Sequence, residues 1–206
     1  QGRLENFVAS CDVIVHMAAM NRHNEPAIIY ETNIRLVKQL IKALEDTGTS
    51  PHVIFSSSTQ EERDNPYGKS KREGRILLEE WATRNKARFT GMVIPNVFGP
   101  FGHPYYNSVI ATFSHQLTHH ETPKIDVDGL IKLIYVGELV KEISDIISTP
   151  PAEQISIERV AHTSEHEVSE LLHLLEGYRH QYLVDGIIPK IGNVFELNLF
   201  NTFRCY

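Results

Sequence analysis

Short apolar runs alternate with longer amphipathic segments through the first 94 residues of this chain. The runs at 12–19, 52–56 and 89–94 are rich in Val, Ile, Ala and Phe, which is typical of strands covered on both faces. The segments at 26–46 and 66–85 carry apolar residues at helical spacing. This alternation predicts a βαβαβ unit, and hence an α/β fold with a doubly wound parallel sheet and right-handed crossovers.

The second half of the chain is less regular, and its pattern predicts shorter elements. Apolar spacing favours helices at 105–120, 140–148 and 164–176, and strands at 130–136 and 155–161.

The length of 206 residues allows one substantial core together with a small lobe. We expect residues 1–102 to form an N-terminally incomplete, Rossmann-like nucleotide-binding core. Residues 103–206 are expected to form a C-terminal substrate cap and the remaining sheet edge, within a single compact unit.

Composition argues against several classes of protein. The net charge of −6 gives no basic footprint for nucleic acid, and no apolar run reaches membrane-spanning length. The two cysteines, Cys11 and Cys205, lie at opposite ends of the chain. That arrangement fits a reduced cytoplasmic protein better than a disulfide framework.

Four polar residues suggest a proton-transfer site. Tyr67 and Lys71 are four residues apart, so a helix places them on one face. A neighbouring ammonium favours the ionised phenol, which makes the tyrosine usable as an acid or base near neutral pH. Asn33 and Ser58 precede this pair, and Asn33 is expected to hold a water that leads to Lys71.

Small and polar residues follow three of the expected strands, where doubly wound folds bind their ligands. The first strand leads into Ala18 and Ala19, whose small side chains would let a flat ligand approach the backbone. The second strand ends in the three serines 56–58, and the third in Asn96 and Val97.

Two pairs of histidines at i, i+4 spacing, at 115/119 and 162/166, lack an evident third ligand, so we expect no metal site.

Taken together, these motifs resemble those of the extended short-chain dehydrogenase/reductases, in the nucleotide-sugar epimerase/dehydratase group. The motifs that carry the resemblance are His16-Met17-Ala18-Ala19, Asn33, Phe55-Ser56-Ser57-Ser58, Tyr67-x-x-x-Lys71 and Asn96-Val97-Phe98-Gly99-Pro100. More specifically, segments 64–68, 95–99, 106–113 and 188–195 resemble the reductase domain of bifunctional capsular polysaccharide enzymes of the UDP-N-acetyl-L-fucosamine pathway.

The resemblance implies a role for each member of the tetrad. Tyr67 would protonate a carbonyl oxygen as hydride arrives from a nicotinamide, and Lys71 would hold the ribose hydroxyls and activate the tyrosine. Ser58 would hydrogen-bond the reacting oxygen, and Asn33 would support the relay. The implied cofactor is NAD or NADP, and the residues implied to contact it are His16, Ala18, Ala19, Ser56, Tyr67, Lys71, Asn96 and Val97. The residues implied to contact the substrate are Arg22, His103, Asn107 and Lys190.

The chain also departs from the family pattern. It contains no Gly-x-x-Gly-x-x-Gly turn for a pyrophosphate, so roughly the first βαβ unit is expected to be missing and cofactor binding to be weak. Ser58 is followed by Thr59-Gln60 rather than by Asp-Glu, which disfavours dehydration.

Two functions therefore remain open. The first is an oxidoreductase or epimerase acting on a UDP-4-keto-6-deoxy-N-acetylhexosamine for capsular or surface polysaccharide. The second is a truncated, inactive remnant that retains sugar-nucleotide binding or dimerisation. The resemblance also implies a homodimer built on the helices at 26–46 and 67–85, and a cupin-type epimerase as a possible partner.

Overall fold

The computed structural model describes residues 2–206, which form seven strands and seven α-helices in an α/β arrangement. The helices are α1 (Gly2–Val8), α2 (Pro26–Thr47), α3 (Pro66–Asn85), α4 (Val109–Thr118), α5 (Val136–Ser148), α6 (Val168–Tyr178) and α7 (Val194–Phe203). The strands are β1 (Val13–His16), β2 (His52–Ser58), β3 (Phe89–Ile94), β4 (Asn96–Phe98), β5 (Leu130–Tyr135), β6 (Ile155–Arg159) and β7 (Ser164–Glu167). A 3₁₀ turn covers Thr59–Glu62, and a π-helical segment covers Arg179–Val184.

A four-stranded sheet with all neighbours parallel forms the centre of the first part of the chain. Its strand order is β1-β2-β3-β6, which confirms the expected α/β, Rossmann-like fold. Trp81, Phe55 and Phe89 are fully buried in the core that α2 and α3 form against this sheet. The carboxyl ends of β1, β2 and β3 lie at one edge of the sheet because the strands are parallel.

The two long helices begin and end where local chemistry favours it. Pro26 and Pro66 lie in the first turns of α2 and α3, where a missing N–H leaves no broken hydrogen bond. Asn65 caps α3, since its Oδ1 accepts a hydrogen bond of 2.8 Å from the Gly68 N–H. Gly48 ends α2 in the left-handed conformation, with φ of 66°.

The chain divides into two compact units that are each discontinuous in sequence. The first unit consists of the chain up to Ile94 together with Ile143–Val160. The second consists of Pro95–Glu142 and Ala161–Tyr206. This division differs from the expected one at 102/103, because segment 143–160 returns to the first unit and supplies β6 to its sheet.

The second unit has its own small sheet and core. Its strand order is β4-β5-β7, with β4 parallel and β7 antiparallel to β5. Leu171, Leu175, Leu199 and Phe203 are fully buried in the core that α4, α6 and α7 share. None of the helices in the described part of the chain combines the length and apolar character needed to cross a membrane.

The helix expected at 164–176 is wrong at its start. Residues 164–167 form β7, which pairs antiparallel with β5, and their side chains alternate between partly buried and exposed. The helix begins only at Val168, after Glu167 and Glu170 form a reciprocal capping box. A tertiary pairing therefore overrides the helical spacing here. The helix expected at 105–120 is likewise shorter and begins after Ser108, whose Oγ accepts a hydrogen bond from the Ala111 N–H.

Candidate active site

Tyr67 and Lys71 lie on the same side of the first turns of α3. The Lys71 Nζ is 5.8 Å from the centroid of the Tyr67 ring, as the four-residue spacing predicts. Pro66 and the Asn65 cap fix the start of this helix. The helix therefore presents the phenol in its first turn and the amine one turn later.

Lys71 is buried, with an exposed fraction of only 3%. Its Nζ donates a hydrogen bond of 2.6 Å to the Ser56 carbonyl and lies 4.8 Å from the centroid of the Phe55 ring. Burial lowers the pKa of Lys71 to about 8, and the charge of Glu61 offsets part of that effect. Lys71 is therefore still mostly protonated at neutral pH, although its ammonium group is largely shielded from solvent.

The three serines at the carboxyl end of β2 have different partners. Ser56 Oγ donates to the His16 carbonyl at 3.2 Å, which ties β2 to the end of β1. Ser57 Oγ donates to the carboxylate of Glu61. Ser58 Oγ accepts from the Gln60 N–H at 3.2 Å and so caps the 3₁₀ turn that follows. Ser58 is the last residue of β2 and therefore lies at the carboxyl edge of the sheet.

Asn33 is 4% exposed and connects two segments around the site. Its Oδ1 accepts from the Met20 N–H at 2.6 Å, and its Nδ2 donates to the Met20 carbonyl at 2.8 Å and to Ser70 Oγ at 2.9 Å. Ser70 Oγ in turn donates to the Tyr67 carbonyl at 2.7 Å. Asn33 therefore holds the loop after β1 against the first turn of α3, while its link to a relay water stays a prediction.

His16 is buried at the end of β1, and its ring lies 5.6 Å from that of Phe55. Burial lowers the pKa of His16, and the neighbouring charge of Lys71 lowers it further. The imidazole is therefore neutral beside the lysine at pH 7. Ala18 and Ala19 follow in an exposed loop, and Arg22 is exposed in the same segment.

The remaining predicted residues belong to the second unit. Asn96 and Val97 are exposed on β4, and the Asn96 Nδ2 donates to the Lys132 carbonyl at 3.2 Å. His103, Asn107 and Lys190 are exposed in loops of that unit. The first unit thus gathers Tyr67, Lys71, Ser56, Ser58, Asn33 and His16 around the ends of β1 and β2.

Sequence reasoning missed several residues that shape this site. A Cβ at Gly68 would lie 2.0 Å from the Gln60 carbonyl oxygen, so only glycine allows α3 to approach the 3₁₀ turn so closely. A glycine directly after Tyr67, in the first turn of a helix, is the signal that could have revealed this contact. Glu61 and Arg75 also went unnoticed, because their pairing depends on how the turn packs against α3.

The residues around Tyr67 and Lys71 fit the nicotinamide half of a dinucleotide cofactor. Tyr67 and Lys71 are suited to hold ribose hydroxyls, and His16 Nδ1 is a buried polar atom without a hydrogen-bond partner among residues 2–206. The exposed Ala18 and Ala19 leave the end of β1 open to a ligand. No glycine-rich turn for a pyrophosphate occurs in the 206 residues. The described residues also contain no cluster of three or more His, Cys, Asp or Glu side chains suited to a metal ion.

Known proteins match this chain over its whole length. The chain is 29% identical over 206 residues to a UDP-2-acetamido-2,6-beta-L-arabino-hexul-4-ose reductase from Pseudomonas aeruginosa, and covers 55% of that protein. It matches the capsular polysaccharide assembling protein CapF from Staphylococcus aureus with a TM-score of 0.82, at 28% identity over the whole of this chain and 55% of that one. The chain thus spans about half the length of these relatives.

A more distant structure supports the fold alone. UDP-glucuronic acid 4-epimerase from Bacillus cereus, solved in complex with NAD, gives a TM-score of 0.82 at 14% identity, over 98% of this chain and 75% of that one.

The family model described as the NAD dependent epimerase/dehydratase family matches residues 1–157. With that match, and with the Tyr67/Lys71 pair at the carboxyl edge of a parallel sheet, the chain belongs to the NAD dependent epimerase/dehydratase family.

Proposed function

We propose that this chain carries the catalytic half of an NAD(P)-dependent reductase or epimerase that acts on a nucleotide sugar in capsular or surface polysaccharide synthesis. The best-supported substrate is a UDP-4-keto-6-deoxy-N-acetylhexosamine. The observation that carries the proposal is the buried amine of Lys71 beside the Tyr67 ring. The similarity to a UDP-hexulose reductase and to a capsular polysaccharide protein supports the substrate class.

Tyr67 is the proton donor in this proposal. Its hydroxyl protonates the ketone oxygen of the sugar as the carbonyl carbon is reduced. The positive charge of Lys71 stabilises the phenolate that remains, because opposite charges attract strongly where solvent is excluded. A bound nicotinamide would supply the hydride, and the Lys71 ammonium would hold the ribose hydroxyls of that cofactor.

Two other residues orient the reaction. Ser58, at the end of β2, hydrogen-bonds the reacting oxygen with its hydroxyl, which also accepts the Gln60 N–H. Asn33 keeps the loop after β1 and the first turn of α3 in register through Met20 and Ser70. His16, Ala18, Ala19 and Ser56 would then contact the cofactor, and Asn96 and Val97 are also proposed as cofactor contacts.

Substrate recognition is assigned to four exposed residues. Arg22, His103, Asn107 and Lys190 supply cationic and amide groups that suit the phosphates and hydroxyls of a nucleotide sugar. We further propose a cytoplasmic homodimer that pairs the outer faces of α2 and α3, and a cupin-type epimerase acting as its partner.

A second candidate is nucleotide-sugar binding without turnover. The observation in its favour is that the 206 residues contain no glycine-rich turn to hold a pyrophosphate. Under this alternative the chain binds the UDP-sugar, or pairs with a second copy, but does not reduce the ketone.

Calorimetry and turnover together test the proposal. The chain is titrated with NADH, with NADPH and with a UDP-sugar, and oxidation of the reduced nicotinamide is followed in the presence of a UDP-4-keto-6-deoxy sugar. The proposal predicts weak cofactor binding, tighter UDP-sugar binding and turnover that needs high cofactor concentration. UDP-sugar binding without any turnover would favour the second candidate, and binding of neither ligand would contradict both.

A further inference from the structure

Glu61 is a buried acid beside the site that has no part in the proposed chemistry. It lies in the 3₁₀ turn after β2, and its side chain is only 8% exposed. A buried carboxylate is costly unless it is paired and hydrogen-bonded. The hydrogen-bond partners of Glu61 therefore indicate its role.

The main partner of Glu61 is Arg75 on α3. Arg75 Nε donates to both carboxylate oxygens at 3.0 Å, and Arg75 Nη2 donates to one of them at 2.9 Å. This forked geometry is the strong form of an arginine–carboxylate pair. Gly91 on β3 leaves room for it, since a Cβ there would lie 2.9 Å from Arg75 Cδ.

The second partner of Glu61 is Ser57, near the carboxyl end of β2. Ser57 Oγ donates to the Glu61 carboxylate, one residue before Ser58. The same turn packs against the start of α3 so closely that Gly68 has no room for a side chain beside the Gln60 carbonyl. The carboxylate therefore joins the segment that bears Ser58 to the helix that bears Tyr67 and Lys71.

Glu61 also acts on Lys71 through its charge. The charged and titratable groups that face Lys71 are Glu61 on the turn, His16 on β1 and Tyr67 on its own helix. Burial lowers the pKa of Lys71, and among these groups Glu61 is the anion that raises it. His16, being neutral at pH 7, offers no compensating charge.

We propose that Glu61 is a positioning residue that, through Ser57 and Arg75, anchors the end of β2 that bears Ser58 to the helix that bears Tyr67 and Lys71. The proposal rests on the function assigned to Tyr67 and Lys71. Its test must therefore give an answer even if the chain turns over no sugar.

Carbon NMR of lysines labelled at Cε provides that answer, because the Cε shift follows the protonation of each amine without any ligand. Lys71 is assigned by the signal that disappears in Lys71→Met. In Glu61→Gln the Lys71 titration midpoint is expected at a lower pH than in the wild-type chain. Where turnover is measurable, the alkaline limb of the pH–rate profile moves in the same direction.

Glu79→Gln is the matched control. Glu79 also binds Arg75, through Nη1, but it is not among the groups that shift Lys71. Its substitution is expected to leave the Lys71 midpoint where it is. An unchanged midpoint in Glu61→Gln, or equal shifts in both variants, would show that Glu61 has no specific effect on Lys71 and would overturn the positioning role.

Ser57→Ala tests the link between Glu61 and the end of β2 and covers the case in which Glu61→Gln does not fold. It removes the hydroxyl that meets Glu61 but keeps the carboxylate. Faster amide hydrogen exchange at residues 58–60 is expected, with the Lys71 midpoint unchanged. Exchange at the wild-type rate would overturn the anchoring role.

Discussion

The two units hold their predicted site residues in opposite ways. In the first unit Lys71 and Asn33 are 3% and 4% exposed, and each is held by hydrogen bonds to the backbone of another segment. In the second unit Asn96 and Lys190 are exposed, on a short strand and in a loop. Removal of a buried, hydrogen-bonded group leaves its partners unpaired, whereas water replaces the contacts of an exposed group. Substitutions in the first unit should therefore have much larger effects.

Lys71→Met should have the largest effect on activity and the opposite effect on stability. Loss of the cation beside Tyr67 is expected to reduce turnover by about 10²-fold or more. The free energy of unfolding should rise, because burial disfavours the charged amine and lowers its pKa to about 8. Lys190→Met is the control, and its unfolding free energy should change by at most about 0.5 kcal/mol. Urea unfolding and steady-state turnover measure the two quantities. A Lys71→Met variant that is less stable than the wild-type chain and has full turnover would contradict this prediction.

Gly68→Ala should destabilise the protein by about 1–3 kcal/mol. Its Cβ would overlap the Gln60 carbonyl oxygen, so the helix start or the 3₁₀ turn must move. Gly177→Ala, in α6 of the second unit, is the matched control, since nothing lies within 4 Å of its Cβ. It should gain up to about 1 kcal/mol from helix propensity. Thermal and urea unfolding decide the matter, and equal effects at the two glycines would contradict the close approach at Gly68.

Asn33→Ala should cost about 1–3 kcal/mol, because the partly buried Met20 N–H and C=O groups lose their partner and the buried Ser70 Oγ loses a donor. Asn96→Ala removes one hydrogen bond from an exposed side chain. It should change stability by at most about 0.5 kcal/mol. Urea unfolding of both variants tests the difference, which would vanish if Asn33 were only a surface amide.

The smallest expected effect is a loss of stability in mild acid. Burial lowers the folded-state pKa of His52 and of His16, with Arg88 and Lys71 adding to the effect respectively. Such histidines bind protons more readily in the unfolded chain, so their contribution is complete above the unfolded pKa of about 6.5 and is lost as the pH falls below it.

Urea unfolding between pH 7 and pH 5 measures this loss. His52→Asn should flatten the dependence of the unfolding free energy on pH. A stability that is constant or rises over this range would show that the two buried histidines do not titrate as described.

The sequence predicted the first unit better than the second for a physical reason. Its central strands β2 and β3 are almost entirely buried, and its helices α2 and α3 are long, so apolar periodicity and the residues at the helix ends define these elements almost completely. In the second unit β4 and β7 are three and four residues long, and their pairing with β5 decides their conformation. Such short segments carry too little periodicity to be recognised.

The same limit applies within the site. The Tyr67/Lys71 pair follows from spacing alone, because both residues lie on one helix. The contacts of Glu61 with Ser57 and Arg75 join three elements, and no spacing rule encodes such a contact. The fit of α3 against the turn at Gly68 is likewise visible only once the elements are packed.

The proposed chemistry requires Tyr67 to give up its proton. The most direct test compares turnover of a UDP-4-keto sugar by Tyr67→Phe with that by Tyr30→Phe, whose hydroxyl instead meets Glu73 on the neighbouring helix. The proton-donor role of Tyr67 predicts that Tyr67→Phe loses turnover by about 10²- to 10⁴-fold while binding cofactor as the wild-type chain does, and that Tyr30→Phe behaves as wild type. Undiminished turnover by Tyr67→Phe would contradict it.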